Sequence, residues 1–293
     1  MLRLAKPILL GAALMAGVMA PAGAADLYEP PIVEAPPPVY YQPEPEPDFG
    51  GWYIRGDIDY HALGFRGGTY ITYGCPTCGP TPGTDSFDTG TLTGALSAGL
   101  GAGYKINRYL RTDLTADWLF TSNFRGSTSG TTCGPTGGPC VSVDRSTMNA
   151  LLLLANAYVE LGTWKKITPY IGAGIGGARV AWGDLRNTTD TTSIHAGAIS
   201  WRFAWALMAG ASYCINKNWK FDLGYRYARI SGGRMFEYGP PGAAVGSGPG
   251  FDAGFDMHEG RAGLRYQFGG DPACGPKEHF VAYEPEPVVP IYK

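Results

Sequence analysis

Trp219-Lys220-Phe221-Asp222-Leu223-Gly224-Tyr225-Arg226-Tyr227 alternates, residue by residue, between large apolar side chains and charged or small ones. A period of two marks a β-strand with two unlike faces. Trp219, Phe221, Leu223, Tyr225 and Tyr227 share one face; Lys220, Asp222 and Arg226 share the other. Downstream, Ala262, Leu264, Tyr266 and Phe268 oppose Glu259, Arg261, Arg265 and Gln267. Upstream, Trp201, Phe203, Trp205, Leu207, Ala209 and Tyr213 oppose Arg202, Ala204, Ser212 and Cys214. Leu110, Leu114, Ala116, Trp118 and Phe120 likewise oppose Arg111, Asp113, Thr115 and Asp117. Leu92, Leu96, Ala98, Leu100, Ala102 and Tyr104 oppose Thr91, Thr93, Ser97, Gly99, Gly101 and Gly103. Trp52, Ile54, Ile58 and Tyr60 oppose Tyr53, Arg55, Asp57, Asp59 and His61. Two further segments, at about 147–161 and 167–181, are less regular, and Leu151 to Leu154 leaves a bulge or a short helix open.

Eight such strands are expected, joined by connections of alternating length. Short turns fall at 105–108, 162–166 and 215–218, and long Gly/Thr/Pro-rich loops at about 63–88, 123–145, 182–197 and 232–255. Short turns at one end and long loops at the other describe an all-β, eight-stranded antiparallel transmembrane barrel. A soluble barrel of the lipocalin kind would turn its apolar residues inward to fill a cavity. That choice would crowd Trp118, Phe120, Trp201, Phe203 and Trp205 into a narrow bore. With the apolar face outward, lipid meets the aromatics and the closed ladder satisfies the backbone.

Composition agrees: of 293 residues, 44 are Gly, 13% are aromatic and only 16% are charged, against about 25% charged in soluble domains. The net charge of −2 argues against a nucleic-acid partner. Arg3 and Lys6, the apolar run from Ile8 to Ala20 and the small residues Pro21 to Ala24 read as a secretory signal over 1–24. Asp26 to Asp48 is Pro-rich and acidic, without a Lys or Arg, and is expected to be an extended linker spanning 25–49. The barrel then occupies 50–268 and a tail 269–293, with the arm, the tail and both termini expected in the periplasm.

Asn218 to Tyr227 and His258 to Phe268, with Gly51-Trp52-Tyr53-Ile54, Asn156-Ala157-Tyr158 and Thr168 to Gly174, resemble the outer-membrane β-barrel ("porin family") proteins of alphaproteobacteria. The resemblance covers most of the chain from Gly51 to Phe268. It implies outer-membrane lipid as surroundings. It also implies that Leu264, Tyr266 and Phe268 form the signal read by the barrel-assembly machinery, although here Gly269 to Lys293 follow that Phe. The family includes members whose processed chain begins Ala-Asp and is joined through its amine to peptidoglycan. Ala25 and Asp26 would be the corresponding residues.

Several motifs carry other meanings. Gly172 to Gly177 fits G-x-G-x-x-G, but no helix follows, as a dinucleotide site requires. Cys75-Pro76-Thr77-Cys78 fits a redox site, half a zinc site or a local disulfide. The loop offers no helix N-terminus and export favours oxidation, so the pairs Cys75–Cys78, Cys133–Cys140 and Cys214–Cys274 are expected. His61 and His258 near one rim are read as interfacial rather than as metal ligands. No His is expected to share a face and depth with a Ser and an acid, so no catalytic residue, metal or cofactor is assigned. Seven cations and seven anions are counted on the inward faces. Because buried charges must pair, the reading is a structural barrel supporting the envelope. A narrow channel and a loop-borne adhesin are the alternatives.

Overall fold

A computed structural model describes residues 49–73, 83–133, 138–237 and 246–275. Eight long strands form the ring: β1 (Gly51–Phe65), β2 (Ala95–Lys105), β3 (Leu110–Ser127), β4 (Val143–Glu160), β5 (Ile167–Trp182), β6 (Ile199–Cys214), β7 (Trp219–Phe236) and β8 (Gly246–Gln267). Each pairs antiparallel with its neighbours in sequence, and β8 pairs back onto β1 from Tyr53↔Gln267 to Phe65↔Phe255. The ladder is therefore closed, leaving no ring edge to water or lipid.

The alternation fixes which way each face points. Trp52, Ile58, Leu100, Leu114, Ile175, Trp201, Leu223 and Leu264 are all exposed outward. An uninterrupted apolar band of this kind is tolerated only against lipid. Residues one position along, including Tyr53, Arg111, Arg226 and Arg265, are almost fully buried inside.

The tight turns share one device. Asn107 Oδ1 accepts from the Tyr109 and Leu110 amides at 2.8 Å, and Asn216 Oδ1 accepts from the Asn218 and Trp219 amides at 2.9 Å. Each Asn thus closes its own turn. The middle turn differs: Trp164 and Ile167 exchange backbone bonds of 2.8 Å around Lys165 and Lys166, both at positive φ.

Three sequence expectations are corrected. The less regular fourth strand contains neither helix nor bulge: Leu152 and Leu154 point inward, and the irregularity lies opposite, between Leu119 and Ser122 of β3. The second strand breaks before Ala95, so Leu92 sits in a short strand, Thr89–Leu92, and packs against the interior. Much of the expected loop sequence is strand. β3 runs to Ser127, β7 to Phe236, and β8 begins at Gly246, whereas about 9–11 residues suffice to cross a bilayer. Short strands such as Gly68–Tyr73 and Leu185–Thr188 prolong these walls. Gly- and Thr-rich composition lost to backbone pairing because inward residues of these extensions, Phe124, Trp182, Phe236 and Phe255, have one another to pack against.

Candidate functional site

The site offered by the fold is the barrel interior. Its buried set adds Lys105, Asp144, Asp252 and Asp271 to the residues expected from the sequence, giving eight cations and ten anions among the described residues. In a ring of eight, β3 faces β7 and β4 faces β8. Arg226 of β7 donates to Asp117 of β3 at 2.7 Å and to Glu259 of β8 at 2.5 Å. Arg261 of β8 lies 3.3 Å from both Asp57 and Asp117. Arg265 of β8 reaches Glu160 of β4 at 3.3 Å and Asp222 at 3.2 Å. Direct ion pairs between opposite walls leave no open bore at these levels. Gly99 makes room for this, since a Cβ there would collide with the Asp117 carboxylate.

Aromatic groups thread the same network. Tyr53 donates its hydroxyl to Asp113 at 3.0 Å, and the Arg111 guanidinium lies 3.7 Å from the centre of the Tyr158 ring. Arg111 also meets Glu160 at 3.2 Å. Cation–π contact and carboxylate pairing together replace the water this guanidinium gives up.

At the short-turn end the chain folds back into the mouth. Gly269 and Gly270 take φ of 78° and 81°, a reversal that glycine makes without strain. The reversal delivers Asp271, fully buried, to Lys105 at 2.6 Å and to Lys220. Burial pushes the Asp271 carboxyl up, but Lys220 and Lys105 outweigh it and hold it below its ordinary value. Asp271 also accepts from the Ala273 amide at 3.0 Å, capping the turn Pro272–Cys274. A disulfide then ties Cys274 to Cys214 with a Cα separation of 5.5 Å.

The opposite mouth is apolar. Trp182 stands edge-on to Phe124 and Phe236 at centroid distances of 5.4 and 5.6 Å, with Phe255 at 5.9 Å. Leu119, Met148, Ile230, Met235 and Met257 complete the cluster. Within it, between the levels of Phe236 and Phe255, Trp182 Nε1 donates to Asp252 at 3.2 Å, and Arg202 meets the same carboxylate at 2.6 Å.

The structure also brings together a set that the sequence reading set aside. His61 lies 3.4 Å from Ser97 Oγ and 3.3 Å from Ser122 Oγ, and Ser97 donates to Glu259 at 2.9 Å. A His, a Ser and an acid therefore do share a depth, because the β3 irregularity turns Ser122 inward. The order is wrong for nucleophilic catalysis, since Ser97 stands between His61 and the acid rather than the His between the other two. His258 points the other way, against Tyr225 at 2.5 Å, so the two histidines near the rim do not converge.

Among the other expected residues, Leu264 and Phe268 are exposed on the outer face, and the Tyr266 and Phe268 rings meet edge-on at 5.1 Å. Cys140 is disulfide-bonded. Cys75, Cys78, Ala25, Asp26 and the side chain of Cys133 lie outside the described residues. Lys105 was missed because it was placed in a turn, although its parity with Gly103 already put it on the inner face.

The sequence matches the family model "Outer membrane protein beta-barrel domain" over residues 10–268. The chain belongs to that family. An uncharacterized protein of Brucella abortus is 38% identical over 271 residues, covering 84% of this chain and 93% of the relative. A protein of Brucella suis matches to the same extent. Among solved structures, the fold is similar to the outer membrane protein OprG from Pseudomonas aeruginosa (17% identity, 75% and 97% of the two chains, TM-score 0.44). It is also similar to Neisserial surface protein A (17% identity, 74% and 97%, TM-score 0.38). As a member of this outer-membrane barrel family, the chain is placed in the cell outer membrane.

Proposed function

We propose that this outer-membrane barrel is a structural, non-catalytic and non-conducting element of the envelope, with its short-turn end and both termini in the periplasm. The observation that carries the reading is the pairing of Arg226 with Asp117 across the full width of the ring. A conducting lumen needs a continuous wet path, and single-sign rings usually select the ion. Here opposite walls are joined, one mouth is packed with aromatics and the other is filled by Asp271 and its disulfide-tied turn. The non-catalytic part rests on His61, Ser97 and Glu259 being sealed from solvent as well as misordered.

The periplasmic arm supplies the second half of the proposal. Asp26 to Asp48 extended at about 3.1 Å per residue spans roughly 70 Å, enough to leave the bilayer and meet peptidoglycan. Without Lys, the arm offers the α-amine of Ala25 as its one amine. Lysozyme-digested walls should then yield an Ala25-initiated peptide carrying a muropeptide mass, and unmodified N-terminal peptides alone would remove the covalent tether. A strain lacking the chain should become sensitive to detergent and to large antibiotics; unchanged resistance would argue against envelope support.

A further inference from the structure

Strand register sets three arginines side by side on the outer wall. Arg125 of β3 lies directly opposite Arg145 of β4, and Arg145 lies directly opposite Arg186 in the strand Leu185–Thr188. Their sequence neighbours Phe124, Asp144 and Leu185 are buried inward, so all three arginines point outward and are exposed. Like charges facing one another across a ladder, with Cβ atoms about 5 Å apart, are destabilising. Three other outward arginines are neutralised: Arg66 and Arg229 meet Asp256 at 3.1 and 3.0 Å, and Arg234 meets Glu237 at 2.6 Å. Arg179, opposite Leu151 and Trp201, also has no carboxylate partner among the described residues but faces no second arginine across the ladder. Among the described residues no carboxylate pairs with Arg125, Arg145 or Arg186, and 74–82, 134–137 and 238–245 contain no Asp or Glu.

The height of the row identifies what neutralises it. On β4 the continuous run of outward apolar positions ends at Leu151, level with Trp118, and Asn149 and Thr147 follow it. Arg145 lies six residues further on, about 20 Å along the strand and roughly 15 Å above the apolar edge at the usual tilt. That is the layer of charged headgroups and first sugars of the outer leaflet. Guanidinium pairs phosphate in a two-pronged geometry that ammonium cannot reproduce. We infer that Arg125, Arg145 and Arg186 form a binding row for the phosphate and acidic-sugar headgroup of an outer-leaflet glycolipid.

The inference rests on the proposed orientation, with the short-turn end in the periplasm, and on neither the sealed lumen nor the wall tether. An epitope inserted at 238–245 and read on intact cells tests that orientation separately. The binding test uses the full mature chain in detergent micelles. The probe is a bis-phosphorylated lipid A carrying its inner-core acidic sugars, with its dephosphorylated form as control. The triple variant R125Q/R145Q/R186Q should bind the phosphorylated probe at least about tenfold more weakly, while R66Q, which removes an outward charge paired elsewhere, should bind as the parent does. With no glycolipid present the triple variant should unfold at a higher temperature than the parent, because the repulsion is gone. Glycolipid should raise the parent's unfolding temperature well above its effect on the variant. Equal affinity of parent and triple variant overturns the inference. So does equal binding of the dephosphorylated probe. Tighter binding of a soluble sulfated glycosaminoglycan than of the glycolipid would assign the row to a soluble polyanion instead.

Discussion

Replacing Arg226 by Met is the sharpest probe of the cross-braced interior. Arg226 is fully buried and donates to Asp117 and Glu259. Its removal does not strand the two carboxylates equally. Asp117 retains Arg261 at 3.3 Å, whereas Glu259 keeps only the Ser97 hydroxyl at 2.9 Å among the described residues. The cost is therefore concentrated on Glu259, a charge buried with a single neutral donor. Breaking a buried pair from one side costs about 3–5 kcal/mol, and that is the expected loss. Glu259→Gln in the same background removes the stranded charge and should recover more than half of it. The assay is urea unfolding of the refolded chain in vesicles, followed by tryptophan fluorescence and by the mobility shift of unheated samples in detergent gels. A single variant that loses less than about 1 kcal/mol would rule out a bracing role for Arg226, as would a double variant no more stable than the single.

Other perturbations address the two mouths and a turn. Trp182→Ala should cost about 3–5 kcal/mol and admit water from the apolar end, seen as faster hydrogen exchange at the β5 amides near 178–182. In a C214A/C274A chain the tail is held by Asp271 and its two lysines. That carboxyl sits below its ordinary value of about 3.9, so the stabilisation is complete above pH 4 and is lost as pH falls through the lower folded value. The protection of the amides over 269–275, corrected for the intrinsic pH dependence of exchange, should accordingly stay constant from pH 8 to about 4.5 and fall only in stronger acid; a fall between pH 7 and 5 would contradict the pairing. Replacing Lys165-Lys166 by Asn-Gly supplies the residues that a turn with two positive φ values prefers. It should stabilise the barrel by about 1–2 kcal/mol, measured in the same urea assay.

The strand faces were legible because lipid and a packed lumen impose opposite demands on alternate residues, so Trp219 to Tyr227 reads directly as structure. Pairing partners inside were not legible, since register across the ring decides that Arg226 meets Asp117. The apolar mouth escaped notice because Phe124, Trp182 and Phe236 lie in Gly- and Thr-rich surroundings that carry the composition of loops. Their clustering depends on strands continuing beyond the bilayer, which local composition does not encode. Asp271 was hidden for a related reason: only the Gly269-Gly270 reversal, two residues past the barrel, brings it back to Lys105 and Lys220. Cys214 and Cys274, in contrast, shared an end of the barrel from the start, and chain length alone made their pairing feasible.

Whether the lumen is closed is read by single-channel recording of the purified mature chain in planar bilayers. The parent chain should give a flat baseline over voltages that leave the membrane intact. Reproducible, long-lived conductance steps from the parent chain would contradict a closed lumen.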